Sequence, residues 1–198
     1  VDDRLEKQIS FILEIDKLKN VLRRSYITDA SRHENDVEHS WHLAVMCLVL
    51  AEYAPQDIDM MRVLRMVLVH DLVEIYAGDV CVYDTSRRAV QAEIEKAAAD
   101  RVFGMLPDDQ AVELRSAWEE FEAADSIEAK FARALDRLEP ILLNYQTHGK
   151  AWKENKATSE LVMNLNLPII RDGTPKLEGY VKDLLLRAKE RGYFYSID

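Results

Sequence analysis

The sequence predicts an all-α, single-domain helical bundle of about seven to nine helices. Three observations carry this. Apolar residues recur at three and four residues along most of the chain, the spacing of a helix face. No stretch alternates apolar and polar residues as a half-buried strand does. Glycines, prolines and capping residues fall between the periodic stretches, where helices stop and start.

Leu5, Ile9, Ile12, Leu13 and Leu18 define a first amphipathic helix. Residues Arg23 to Asp36 are polar and read as a loop, long enough to need a function or a disorder explanation. A second helix runs from about Val37 to Ala54 and stops at Pro55; being apolar on most sides, it is expected to be central. The third spans about Asp59 to Ala77, with Gly78 free to take the positive φ that ends it. Asp79 to Thr85 read as a loop, and Ser86 to Phe103 as a charged amphipathic helix ending at Gly104. Pro107 suits the first turn of the next helix, which carries Trp118 and Phe121. Asp125-Ser-Ile-Glu128 is a capping signature. It opens a long helix through Leu135, Leu138, Leu142 and Tyr145 to about His148, where Gly149 ends it. Lys156–Ile170 and Thr174–Arg191 complete the helices, with Asp172-Gly173 as the turn between them. Thr174 is placed to cap the last helix, with Pro175 at its first position. There is no repeat, linker or low-complexity segment, so residues 1–198 are expected to form one domain.

Composition narrows the function classes. The chain has 198 residues, 48% hydrophobic and 31% charged, which suits a globular domain with a sizeable core. Its net charge of −10 argues against a nucleic-acid polymer as partner, since such binders carry basic faces. A small phosphorylated ligand stays open, because a few local arginines suffice for it. Cys47 and Cys81 make no disulfide framework, so a reducing, cytoplasmic setting is expected. The longest apolar run, Leu43–Ala51, is stopped by Glu52 and is too short to span a bilayer, so no membrane partner is expected. Val1-Asp-Asp-Arg4 has no signal-peptide pattern.

The stretch Val67–Asp79 concentrates the chemistry. Within its apolar run sit His70, Asp71 and Glu74. On a helix, His70 and Glu74 share a face, and Asp71 flanks it. Carboxylates in apolar surroundings are costly unless paired or metal-bound. A divalent cation satisfies all three groups at once; a His–carboxylate pair in a solvent cleft is the other reading. His39, in Glu38-His-Ser-Trp-His42, adds a second imidazole near the start of the second helix. Asp136 adds a carboxylate four residues before Pro140. Pro140 lacks the N–H that would bond the Asp136 carbonyl, so a bend beside Asp136 is expected, with room for a ligand. Pairing of Asp136 with Arg133 or Arg137 is equally open. Two imidazoles and two carboxylates suit one divalent transition metal ion (Mn, Co, Fe, Ni or Zn) better than Ca or Mg.

His39, His70-Asp71 and Asp136, in that order, resemble the signature of the HD superfamily of metal-dependent phosphohydrolases. The surrounding Glu38-His-Ser40, His70–Asp79 and Ala134-Leu-Asp-Arg-Leu-Glu-Pro140 are more specific than the dyad. They resemble the branch containing bacterial 5′-deoxynucleotidases and their eukaryotic HD-domain relatives. The resemblance covers roughly residues 18–145, the core of the metal site. It implies an HD-type bundle with His39, His70, Asp71 and Asp136 as metal ligands, and Glu74 and Asp79 acting near the attacking water. It places Arg24 as the phosphate-binding arginine, with Arg23 or Arg32 assisting. It further implies a small phosphorylated substrate, a nucleoside 5′-monophosphate, and a homodimer. The bacterial pattern puts tryptophan after the phosphate-binding arginine; here Ser25 follows Arg24, and Tyr26 is the nearest aromatic. Two alternatives stand beside the nucleotidase: hydrolysis of a triphosphate, guanosine polyphosphate or cyclic dinucleotide, and a non-catalytic, metal-bound helical binding module.

Other residues receive ordinary roles. His42 is expected off the metal, and His33 and His148 on the surface. Met60, Met61 and Met66 are expected in the core, Arg87 and Arg88 at a solvated helix start, and Glu122 near the site entrance. The apolar surplus of 156–191 either covers the bundle or forms an interface.

Overall fold

The structure is a computed structural model that describes residues 2–79 and 85–196, without the side chains of 85–89. Its elements in order are α1 (Asp3–Ile15), a 3₁₀ segment (Asp16–Asn20), β1 (Leu22–Tyr26), β2 (His33–Asn35), α2 (Asp36–Val49), a 3₁₀ turn (Ala51–Tyr53), α3 (Met60–Val69), α4 (Glu74–Ala77), α5 (Thr85–Phe103), α6 (Asp108–Ala123), α7 (Ile127–Gln146), α8 (Lys150–Glu154), α9 (Ser159–Gly173) and α10 (Pro175–Glu190). The fold is all-α, as the periodicity predicts. Among the described residues no helix is long and apolar enough to cross a membrane.

The long helix α7 is the axis. Ser126 caps it by accepting from the Ala129 N–H at 3.2 Å, and it runs on through Pro140. Phe131, Ala132 and Leu135 on this helix are fully buried, as are Val63, Met66 and Val67 on α3. Helices α2, α3, α6 and α9 all pack on α7. One continuous apolar cluster runs from Phe11 to Phe194. Of the C-terminal apolar residues, Val162, Ile170, Leu184 and Leu185 join this core, whereas Leu186 is exposed.

Several local expectations are corrected. The segment 23–36 is not a plain loop: β1 and β2 pair antiparallel, Tyr26 opposite His33 and Leu22 opposite Asn35. The buried residues of these strands are Ser25 and Glu34. The face that would normally be apolar is polar, so the strand pattern is invisible in the sequence.

The helix predicted over 59–77 breaks. Residues 70–73 form a turn, closed by i→i−3 bonds such as Leu72 N–H to Val69 O and Glu74 N–H to Asp71 O. The Val67 carbonyl, which a continued helix would offer to the Asp71 N–H, accepts from the His70 ring at 2.9 Å. A side chain competing for a helix carbonyl favours a turn.

Asp172-Gly173 is not a turn either. Helix α9 runs to Gly173, where a Cβ would sit 2.0 Å from the Lys130 carbonyl oxygen. The glycine is there for close approach of α9 to α7. Thr174 does not cap α10 with its side chain; its hydroxyl donates back to the Ile170 carbonyl. The sequence also missed α8, and α9 begins at Ser159, capped by Thr158, rather than at Lys156. Met61, expected in the core, is 68% exposed. Arg87, Arg88 and Cys81 lie outside the described side chains.

Candidate metal centre

The start of α2 is fixed by a reciprocal cap. Asn35 Oδ1 accepts from the Glu38 N–H at 3.0 Å, and the Glu38 carboxylate accepts from the Asn35 N–H at 3.1 Å. One residue later, His39 enters the core with no exposed surface. Its Nε2 lies 3.1 Å from Asp136 Oδ1 on α7 and 4.0 Å from Asp71 Oδ2. From the turn after α3, His70 Nε2 lies 3.0 Å from Asp71 Oδ1 and 3.8 Å from Asp136 Oδ1. The structure thus brings His39, His70, Asp71 and Asp136 together from three elements.

These residues fit a metal ion. Donors each about 2.1 Å from one ion lie roughly 3.0–4.2 Å apart, depending on the angle between them. His39, His70 and Asp136 bring one donor atom each within 4.8 Å of one another, while Asp71 approaches His70 through Oδ1 at 3.0 Å and His39 through Oδ2 at 4.0 Å. His70 supplies an independent sign. Its Nδ1–H is committed to the Val67 carbonyl, and its Nε2 is buried with no hydrogen-bond partner among the described residues. An imidazole held in that tautomer presents a bare lone pair to the two carboxylates, an arrangement that calls for a cation.

Local charge supports this arrangement. Burial opposes ionisation of Asp136, but the His39 bond and the Arg137 charge outweigh it and hold its carboxyl well below the usual range. Arg137 Nε is 3.8 Å from Asp136 Oδ2, so the arginine pairing and the cluster coexist. Burial and the Arg23 charge oppose protonation of His39, yet its bonds to Asp136 and Glu139 raise its pKa to about 10.

Arg23 is half-buried among carboxylates. Its Nη1 lies 2.9 Å from Asp71 Oδ2 and 3.3 Å from Asp36 Oδ1, and its Nε 3.9 Å from Glu34 Oε2. Arg24, the next residue along β1, is exposed and lines the cleft. Arg32 does not: it pairs with Glu38 at 2.6 and 2.7 Å and buttresses the α2 cap.

The cleft over the cluster has a volume of about 340 Å³, within the usual range for small-molecule sites. Glu74 and Asp79 line it beside Asp71. Burial, then repulsion from Asp71, Asp36 and Asp79, pushes the Glu74 carboxyl well above its ordinary range. Burial also raises the Asp79 carboxyl, against the Arg23 charge. Glu122, Trp152, Asn155 and Asn166 also line it.

His42 is off the cluster, with Nδ1 at 3.1 Å from Glu139 Oε1. His33 is half-buried against Tyr26, and His148 is exposed.

Sequence reasoning missed three buried acids: Glu34, Asp36 and Glu139. Burial and the nearby Glu139 raise Glu34 to about 8, and burial with Asp71 raises Asp36 to about 7. A signal for Glu139 existed. It stands alone among Leu138, Pro140, Ile141 and Leu142, three residues after Asp136 and so on the same helix face.

Comparison with known proteins follows this geometry. A family model described as the HD domain matches residues 15–178. The human 5′-deoxynucleotidase HDDC2 is 32% identical over 135 residues, covering 68% of this chain. The chain spans 65% of that relative's length. A solved structure from Magnetospirillum magnetotacticum MS-1, described as a predicted metal-dependent phosphohydrolase, matches with a TM-score of 0.93 and 47% identity, covering 98% of this chain and 97% of that one. A Pyrococcus horikoshii OT3 protein matches with a TM-score of 0.66 and 26% identity, covering 92% of this chain and 99% of that one.

Proposed function

The chain belongs to the HD-domain family, and from that premise we propose that it is a metal-dependent phosphohydrolase. Its substrates on this reading are nucleoside 5′-monophosphates, deoxynucleotides among them, from which it releases phosphate. One observation carries the proposal: His70 Nε2, unpartnered and buried, converges with His39, Asp71 and Asp136 at the floor of a cleft. The name of the human relative supports the substrate class.

His39, His70, Asp71 and Asp136 would hold one divalent transition ion, Mn, Co, Fe, Ni or Zn. When bound, such an ion lowers the pKa of a water and polarises a phosphoryl oxygen. The chain's own residues do the rest. Glu74, whose Oε2 has no hydrogen-bond partner among the described residues, accepts the proton of the attacking water, and Asp79 orients that water. Arg24 neutralises the non-reacting phosphate oxygens from the cleft wall. Arg23 is already engaged by Asp71 and Asp36, so its part is to hold Asp71 in place. Arg32, tied to Glu38, acts on the α2 cap rather than on phosphate.

A panel of nucleoside and deoxynucleoside monophosphates with Mn²⁺ or Co²⁺ tests the reading. Free phosphate is the expected product. No phosphate from any member, or release of pyrophosphate or triphosphate from a nucleoside triphosphate instead, would overturn it.

A homodimer in a reducing, cytoplasmic setting completes the proposal. Val37, Trp41, Val45 and Leu48 form a stripe along α2, 36, 66, 39 and 54% exposed. An apolar stripe of this kind supports a contact between copies. Cys47 is buried as a free thiol.

A further inference from the structure

The metal-site reading leaves one buried acid of α7 without a role. His39 Nε2 faces Asp136, while its Nδ1 lies 3.4 Å from Glu139 Oε2. Both residues are wholly buried, and among the described residues neither Nδ1 nor Oε2 has a hydrogen-bond partner, so the 3.4 Å approach is a close contact short of a formed bond. The other carboxylate oxygen, Oε1, is held by His42 Nδ1 at 3.1 Å. The His39–Asp136 and His42–Glu139 pairs are each 97 residues apart in sequence, so a step of three along α2 meets a step of three along α7. Glu34 Oε2 is further from His39 Nδ1, at 3.9 Å, and accepts from the Ser25 hydroxyl at 3.3 Å. Glu139 is the better acceptor for His39.

We propose that Glu139 is a positioning residue for the metal site. Its Oε2 accepts the His39 Nδ1–H, which fixes the tautomer that leaves Nε2 free as a donor and sets the ring plane. His42 anchors the same carboxylate through Oε1. His70 uses a backbone version of the device, its Nδ1–H taken by the Val67 carbonyl. Both imidazoles thereby present Nε2 to one point. An acceptor behind a ligating imidazole raises its basicity and restrains its orientation. The proposal rests on the metal-site reading, and the experiment separates the two.

The full chain is titrated with Co²⁺, followed by the visible absorption of the bound ion. Glu139→Gln keeps the side-chain shape and removes the charge. Binding should weaken roughly 10–100-fold, with the far-ultraviolet circular dichroism unchanged. His39→Ala controls for the site and should abolish tight binding. If His39→Ala binds Co²⁺ like the wild type, the metal-site reading itself fails. If His39→Ala loses the ion while Glu139→Gln keeps wild-type affinity, the positioning role alone fails. Should Glu139→Gln not fold, the wild type decides: nitrogen-15 NMR of the Zn²⁺-loaded chain should show His39 Nδ1 protonated, and a deprotonated Nδ1 overturns the proposal. Glu34, His39 and Glu139 also bring donor atoms within 4.8 Å of one another. Two ions per chain, falling to one in Glu139→Gln, would make Glu139 a ligand and overturn it as well.

Discussion

The carboxylates of the cleft divide by what each one touches. Asp71 stands between His70 Nε2 and Arg23, so it balances charge in the cluster. Glu74 stands beside it with a free oxygen. Asp71→Ala is therefore expected to lose metal and turnover together, with little rescue by added metal. Glu74→Ala is expected to keep its metal and lose kcat by about 10²–10⁴-fold, the scale of a general base. Metal content measured beside kinetics checks the contrast; equal metal loss in both variants would make Glu74 a ligand. The two arginines of β1 give a second contrast. Arg24→Ala should raise KM and leave the melting temperature alone, since its side chain is exposed. Arg23→Ala strands Asp71 and Asp36 without their counter-charge, and breaking such a pair costs about 3–5 kcal/mol. Thermal unfolding of both variants decides; equal melting temperatures would remove Arg23 from its structural role.

At the scale of elements, two devices set the positions of the helices that carry the site. The reciprocal cap of Asn35 and Glu38 starts α2 just ahead of His39. Asn35→Ala should cost about 1 kcal/mol, and denaturant unfolding with an unchanged m-value is the measurement. Gly173 lets α9 lie against α7, with the Lys130 carbonyl where a Cβ would go. Gly173→Ala should therefore separate the helices and cost about 1–3 kcal/mol. A melting temperature equal to that of the wild type would show that the two helices part freely there. Both devices involve local residue choices, yet they differ in legibility. A cap acts over four residues and can be read in sequence. A close approach of α9 to α7 joins residues far apart in the chain, and Asp172-Gly173 read alone suggests a turn.

For the molecule as a whole, the proposed association of copies rests on the apolar stripe of α2. The α2 stripe is exposed, whereas Val162 and Ile170 of α9 and Leu177, Val181, Leu184 and Leu185 of α10 are buried in the core. Trp41→Glu is expected to convert a dimer into a monomer by light scattering at micromolar concentration. A wild type that is already monomeric there would contradict the dimer. A dimer indifferent to Trp41→Glu would move the interface away from α2.

Periodicity and composition were enough to establish the all-α class and the acidic character, and the order of residues, through its resemblance to the HD signature, singled out His39, His70, Asp71 and Asp136. Each of these is a property of local spacing or of a pattern along the chain. The hairpin of β1 and β2 was not legible, because its buried face carries Ser25 and Glu34 rather than apolar residues. Nor was the break at His70, which depends on one imidazole capturing the Val67 carbonyl. The division of labour between Arg23 and Arg24 needed the fold as well: adjacent residues on a strand face opposite ways, and packing alone determines which one meets the carboxylates. Glu34 and Asp36 look like surface acids in sequence, and of the three buried acids only Glu139 carries a sign of burial in its apolar neighbours. Their burial, and the contact of Glu139 with His39 across 100 residues of chain, exist only once α2 and α7 have come together.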